Sequence, residues 1–214
     1  MRMSNHDRLR CADCAMWRHC RQEVGTVTRT IQKGESLFAC AQTFQGLFMV
    51  LSGSFKSHVA LEERDADMIL GFSLPGELLG LDALGEGRHQ MTVTALEHAE
   101  VCCLGSVRDA DKGPLLEQFS VQMVRERLQA RHALRGNAVE RLWWFLQDLS
   151  ARYAGLGMSR HTLRLPMTQT EIANYLDLTH ETVCRVMRRF RDRCMVMYEH
   201  NRLRLSQTVR SDGI

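Results

Sequence analysis

Residues 168–190 hold two helix caps on either side of a tight turn, and few folds accommodate that order. Thr168-Gln169-Thr170-Glu171 is a capping box, in which the Thr168 hydroxyl and the Glu171 carboxylate each satisfy an orphan amide of the first helical turn. It opens a short helix with Ile172, Ala173 and Leu176 inward. Asp177-Leu178 then turns the chain and Thr179 caps a second helix. In that helix Val183, Val186, Met187 and Phe190 fall at i, i+3, i+4 and i+7, the spacing of a core face. Glu181, Cys184, Arg185 and Arg188 share the opposite side. Met195–Tyr198 and Arg202–Leu205, joined by Glu199-His200-Asn201, form a β-hairpin pattern. Helix, turn, helix and hairpin in this order make a winged helix-turn-helix.

Such a motif lays its second helix in the major groove of DNA. Arginine there can donate twice to guanine, and glutamate can accept from cytosine. The candidate DNA-binding set is Thr179, His180, Glu181, Thr182, Cys184, Arg185, Arg188, Arg189 and Arg202. Glu181 and Arg185 are assigned to bases; Arg188, Arg189 and Arg202 are assigned to phosphates. The net charge of +3 says little about partners, but between Glu181 and Arg204 seven arginines stand against three acids. A basic amphipathic helix on a solvated face is the plain alternative, and the agreement of cap, turn and wing weighs against it.

From Val24 to about Arg108 the chain is written in short strands. Thr26–Ile31 alternates, Leu47–Leu51 is a buried run closed by Ser52-Gly53, and Phe55, Ser57, Val59 and Leu61 alternate. Met68–Leu74 and the stretch Thr92–Leu104 supply the rest, with turns at Lys33-Gly34 and Pro75-Gly76-Glu77. Many short strands predict an antiparallel roll. After Lys112-Gly113-Pro114 a long helix is expected from Leu115 to about Gly136. Its apolar stripe is placed on Leu116, Phe119, Met123, Leu128, Leu134 and Leu142, which is suited to binding a partner helix. A second helix runs from Asn137 to Tyr153, and Thr162–Leu165 is a short strand. The expected organisation is a terminal segment 1–23, a roll 24–111, a helix 112–136 and a DNA-binding domain 137–214.

No apolar run approaches the roughly 20 residues that span a bilayer, and the N-terminus lacks a secretory apolar core. The expectation is a cytoplasmic protein, not a membrane one, with reduced thiols. No catalytic constellation is present, so a non-enzyme is expected. Three of eight cysteines, Cys11, Cys14 and Cys20, are spaced C-x2-C-x5-C. Soft thiolates at that density select zinc or an iron–sulfur cluster, and a fourth ligand must come from elsewhere. Cys102 and Cys103 point to opposite faces of one strand. Alternation groups Cys103 with Val101 and Cys102 with Leu104, without deciding which faces the terminal segment.

Roll, long helix and winged helix-turn-helix in this order resemble the CRP/FNR superfamily of bacterial transcription regulators. The resemblance is strongest in Gly71-Phe72-Ser73-Leu74-Pro75-Gly76-Glu77, in 168–190, and in Glu181-Thr182-Val183-x-Arg185. It implies an α+β chain with an N-terminal antiparallel β-roll of the cyclic-nucleotide-binding type, a dimerisation helix and a C-terminal winged helix-turn-helix. Within the superfamily the chain is similar to the oxygen-sensing FNR branch. Cys11, Cys14 and Cys20 match that branch's cluster triad, and Ala95-Leu96-Glu97-His98-Ala99-Glu100-Val101-Cys102 matches the strand of its distant cysteine. The resemblance therefore implies a [4Fe–4S] cluster on Cys11, Cys14, Cys20 and Cys102, and a homodimer on double-stranded DNA at a TTGAT-type inverted repeat. It also implies RNA polymerase as partner.

Cyclic nucleotide, the family's other signal, is not expected, because Arg88 is followed by His89 and Gln90 rather than serine, and Glu77 is assigned to the turn. Departures from the branch are Ala15 and His19 beside the triad, Leu128 for an acid in the helix, and Asp177 for the turn glycine. His180 and Cys184 replace valine and serine in the reading helix. The competing reading is a thiol switch without a cluster, using Cys40, Cys103, Cys184 or Cys194.

Overall fold

The computed structural model describes residues 27–61, 67–104, 112–199 and 202–206. The chain divides into two compact units, 1–124 and 125–214. Among the described residues the first holds eight strands: β1 (Val27–Ile31), β2 (Ser36–Phe38), β3 (Phe48–Ser52), β4 (Phe55–Val59), β5 (Met68–Ser73), β6 (Leu78–Leu79), β7 (Thr92–Ala95) and β8 (Ala99–Cys103). They form two antiparallel sheets, ordered β1-β8-β3-β6 and β2-β7-β4-β5. The expected roll is present.

Strand β3 is buried along its whole length, since its sheet is covered on both faces. Phe48 and Val50 join Ile31, Phe38, Phe55, Val93 and Val101 in one core. Met49 and Leu51 face a second cluster with Leu47, Leu78, Cys102, Leu104 and Leu115. A period of two along a strand sends neighbours to opposite faces, so a strand covered on both sides is a continuous apolar run. Gly53 closes β3 at φ 77°, where a Cβ atom would stand 2.6 Å from that of Ala99, so no other residue fits without a shift of backbone.

Helix α1 (Lys112–Arg135) begins three residues earlier than expected. Leu115 is buried in the first unit, whereas Leu116, Phe119, Val121, Val124 and Leu128 are exposed. Leu142 does not belong to that stripe: it lies in α2 (Ala138–Gly155), fully buried with Trp143, Phe145, Leu146 and Leu149. The break between the helices comes from Asn137, whose side chain accepts the amides of Val139 and Glu140 while Glu140 accepts that of Asn137. Extending one apolar period across 136–137 overlooked this second capping box.

The second unit continues with β9 (Thr162–Leu163), α3 (Gln169–Tyr175), α4 (His180–Asp192), β10 (Val196–Glu199) and β11 (Arg202–Leu205). Its sheet runs β10-β11-β9, with β10 and β11 as the hairpin. Trp143 of α2 meets Phe190 of α4 edge-on at 5.5 Å, which seats α4 on α2 within the core of the second unit.

Candidate nucleic-acid interface

The reading helix is fixed from both ends of the preceding turn. Thr168 Oγ1 accepts the Glu171 amide at 3.2 Å, and Glu171 Oε2 accepts the Thr168 amide at 2.8 Å. Asp177 takes φ 51°, the left-handed conformation that aspartate enters more readily than most residues. Arg141 reaches across from α2 and donates from Nη1 to the Leu176 carbonyl at 3.2 Å, a clamp on the turn that sequence spacing does not reveal. Thr179 Oγ1 then accepts the Thr182 amide at 3.2 Å and starts α4.

Val183, Val186, Met187 and Phe190 are all buried, as their spacing requires. That fixes the rotation of α4 and leaves His180, Glu181, Arg185, Arg188 and Arg189 exposed, with Thr182 and Cys184 half-buried. Arg185 is held only loosely within the head, by a long 3.5 Å approach of Nη2 to Thr182 Oγ1, so its guanidinium can extend to a base edge. On the hairpin, Glu199 accepts from Arg204 Nη1 at 3.1 Å, while Arg202 is exposed opposite Glu199 in the strand register. From the assigned set, helix α4 therefore exposes an acid and three guanidiniums with small polar groups, and the hairpin exposes a fourth guanidinium, groups that suit a major groove and its flanking phosphates.

Cys184 is more closely engaged than its spacing foretold. Its thiol donates to Gln169 Oε1 at 2.8 Å and lies 3.4 Å from His180 Nε2. Gln169 also supports the Tyr198 phenol on the hairpin: burial pushes that phenol up from its ordinary pKa, and the Gln169 hydrogen bond and the Arg191 guanidinium hold the rise back.

Of the four cysteines assigned to a cluster, Cys11, Cys14 and Cys20 lie outside the described residues. Cys102, 7% exposed, packs among Leu47, Met49, Leu51, Leu78, Leu104 and Leu115. Cys103 is half-buried against the other core, beside Val101. The alternation expected of the pair holds. Among the described residues no three His, Cys, Asp or Glu side chains converge as a metal site, and no helix is long and apolar enough to cross a membrane.

In the roll, the half-buried Glu77 carboxylate accepts the Leu74 amide at 3.1 Å, the turn-supporting role expected of it. Arg88 donates from Nη1 to the Ala41 carbonyl at 3.0 Å. His89 is buried, stacked on Phe38 with 3.6 Å between ring centroids, and its Nδ1 lies 3.3 Å from Asp82 Oδ1.

Residues 28–108 match the cyclic nucleotide-binding domain family and residues 140–208 the Crp-like helix-turn-helix domain family. Among curated proteins, the fumarate and nitrate reduction regulatory proteins of Salmonella typhi and of Escherichia coli (strain K12) are each 36% identical over 170 residues, covering 76% of this chain and 68% of theirs. Among solved structures, FixK2 from Bradyrhizobium japonicum superposes with a TM-score of 0.72 at 20% identity, over 86% of this chain and 94% of its own. A transcriptional regulator of the CRP family from Thermus thermophilus superposes with a TM-score of 0.68 at 18% identity, over 83% and 91%.

Proposed function

The chain belongs to the CRP/FNR family of transcription regulators, and we propose that it reads an inverted-repeat operator as a homodimer under the control of a [4Fe–4S] cluster. The observation that carries the DNA half is α4 itself. Its buried stripe leaves Glu181 and Arg185 on the exposed face, one helical turn apart, where glutamate can accept from cytosine and arginine can donate twice to guanine. Arg188, Arg189 and Arg202 hold phosphates and set register, with Thr179, His180, Thr182 and Cys184 completing the surface.

Dimerisation is assigned to α1, whose exposed Leu116, Phe119, Val121, Val124 and Leu128 need a partner of the same kind. Two heads related by a dyad then meet half-sites about one helical turn apart. RNA polymerase is the downstream partner that such a regulator serves.

Cys11, Cys14, Cys20 and Cys102 would hold the cluster. Four thiols are the donor set that iron–sulfur ligation takes, and among the described residues Cys102 lies in the roll's core. Bound there, the cluster supplies oxygen-labile iron–sulfur chemistry as the signal. The chain's own part is mechanical. Cys102 shares an apolar cluster with Leu115, so a change at Cys102 bears directly on the first turns of the dimer helix. A signal shifts the regulator only by its differential affinity for the two states, and this shared packing is where that difference can arise. Cyclic nucleotide is not assigned to the roll. Glu77 serves its turn, Arg88 is held by the Ala41 carbonyl, and His89 is stacked where a phosphate-binding serine would stand.

The test uses anaerobically purified protein, with iron, acid-labile sulfide, sedimentation and operator affinity measured before and after air. Iron and operator affinity should fall together. Loss of iron with mass and affinity unchanged removes the cluster as switch. Separately, Arg185→Ala should cost about 1–3 kcal/mol on the operator and relax discrimination against a scrambled half-site. An Arg185→Ala protein that still discriminates overturns the assignment of the reading helix.

A further inference from the structure

Helix α1 ends at Arg135 and α2 begins at Ala138, so the last turns of α1 meet the reading head through a break in the helical rod. The Asn137 capping box starts α2, but its hydrogen bonds all lie within residues 137–140 and fix no angle between the two helices. Two other contacts span the break, and each joins separate elements. Arg141 of α2 donates from Nε to the Gly136 carbonyl at 2.8 Å and from Nη1 to the Leu176 carbonyl at 3.2 Å. One guanidinium thus ties the carbonyl just past the end of α1 to that of the α3 C-cap, a pairing its rigid fork of donors suits.

Tyr175, the last residue of α3, makes the second contact. Its phenol donates to Gln129 Oε1 of α1 at 2.7 Å, 46 residues back along the chain. The ring leans on Phe145 of α2, with 5.7 Å between centroids. Burial, reinforced by Asp148, pushes the phenol up to about 12, so it is a donor throughout the physiological range. Packing within the head explains the ring on Phe145; it does not call for a hydroxyl bonded to a side chain of α1.

We propose that Arg141 and the Tyr175–Gln129 pair form a latch that fixes the angle of the reading helix on the end of α1. Tyr175 and Leu176 immediately precede the Asp177 turn, and Thr179 starts α4 directly beyond it, so holding the end of α3 sets the entry of α4. The three are positioning residues and need not touch DNA. The consequence rests on the homodimer reading proposed above. With α1 held on the dyad, the latched angle selects the half-site spacing that both heads can meet, and a loosened latch lets them accept others. The latch gives specificity for operator spacing, separate from operator sequence.

Two measurements separate the latch from its consequence. In full-length protein without DNA, nitroxides on ketone-bearing residues introduced at the exposed Arg131 and Arg193 report the α1–α4 distance by pulsed electron resonance, with labelled chains diluted by unlabelled ones. The distance distribution should be narrow, and should broaden when Tyr175→Phe is combined with Arg141→Lys, whose ammonium lacks the fork. An unchanged distribution in that double variant overturns the latch. On DNA, anaerobic protein is offered the inverted repeat with its matched spacer, the repeat with one base pair added, and a lone half-site. One added base pair moves the second half-site by about 3.4 Å and turns it by about 35°. Preference for the matched spacer should fall about two- to tenfold in Tyr175→Phe, the loss of one hydrogen bond. Gln129→Leu should give the same fall, and the two together no more than either alone. Affinity for the lone half-site should not change. Equal falls on lone half-site and repeat would make the role merely structural and overturn the assignment, as would an unaltered spacer preference in both Tyr175→Phe and Arg141→Lys. A wild-type chain that does not distinguish the repeat from a lone half-site instead rejects the homodimer reading, and the distance distribution still decides the latch.

Discussion

The reading head and the roll place their working side chains on opposite sides of the line between surface and core. In the head, Val183, Val186, Met187 and Phe190 fill the interior while Glu181, Arg185 and Arg188 stand outside it on the same helix. In the roll, Cys102, the assigned ligand, is itself a core residue, packed among five leucines and a methionine. The difference teaches where function and stability can be separated by mutation. On α4 a substitution on the buried face should affect folding, and one on the exposed face should affect DNA binding. At Cys102 the two would be joined, because a change to the proposed ligand is also a change to the packing under Leu115.

The sharpest way to break this contrast is through the head's core. Phe190, 1% exposed and edge-on to Trp143, leaves a cavity between α2 and α4 when cut to alanine. The loss should be about 3–5 kcal/mol, read from the midpoint of chemical denaturation followed by tryptophan fluorescence. Operator binding should fail with it, whereas Arg185→Ala should leave the midpoint in place. A Phe190→Ala protein of unchanged stability would show that the head's core does not depend on this contact.

The next effect is at the roll. Cys102→Ser moves a hydroxyl into an apolar cluster and should cost about 1–3 kcal/mol even in protein that carries no iron. Cys103→Ser changes a half-buried thiol against the other core and should cost less. Reconstituted without oxygen, Cys102→Ser should lose its iron and Cys103→Ser should keep it. Full loss of iron in Cys103→Ser beside a normal content in Cys102→Ser would reverse the ligand assignment.

The same contrast governs how much could be read before the structure. The head was legible almost residue by residue because its signals are local: caps act over three residues, and the buried stripe of α4 repeats within four. The roll was legible only as a class, since its pairings join distant segments, as Val27 and Cys103 or Ser36 and Thr94. Alternation separated Cys102 from Cys103 correctly, and the structure adds that Leu115 of the following helix packs on the Cys102 face, which depends on where a helix after the last strand lies. Leu142 went to the wrong helix because the Asn137–Glu140 box interrupts an apolar period that would otherwise run on. Arg141 on the Leu176 carbonyl and Gln169 on the Cys184 thiol were not readable at all. Each joins side chains from elements whose spacing along the chain carries no trace of the contact.

The smallest effect tests the most local signal. Helix α3 is only seven residues long, Gln169–Tyr175, below the length at which a helix holds itself together in water. Its start depends on Thr168, whose hydroxyl accepts the Glu171 amide and also lies 3.0 Å from the Glu171 carboxylate. Thr168→Ala removes the acceptor and leaves an orphan amide, at a cost of about 1 kcal/mol. Thr168→Ser keeps the oxygen and should keep most of the stability. The site of the loss can be read by hydrogen exchange, where the Glu171 amide should lose protection in Thr168→Ala and retain it in Thr168→Ser. Because Gln169 opens this helix and holds the Cys184 thiol, fraying here should also loosen the contact behind the reading face. If exchange at Glu171 is the same in wild type and Thr168→Ala, the cap does not hold the helix, and burial of Ile172 and Ala173 alone sustains it.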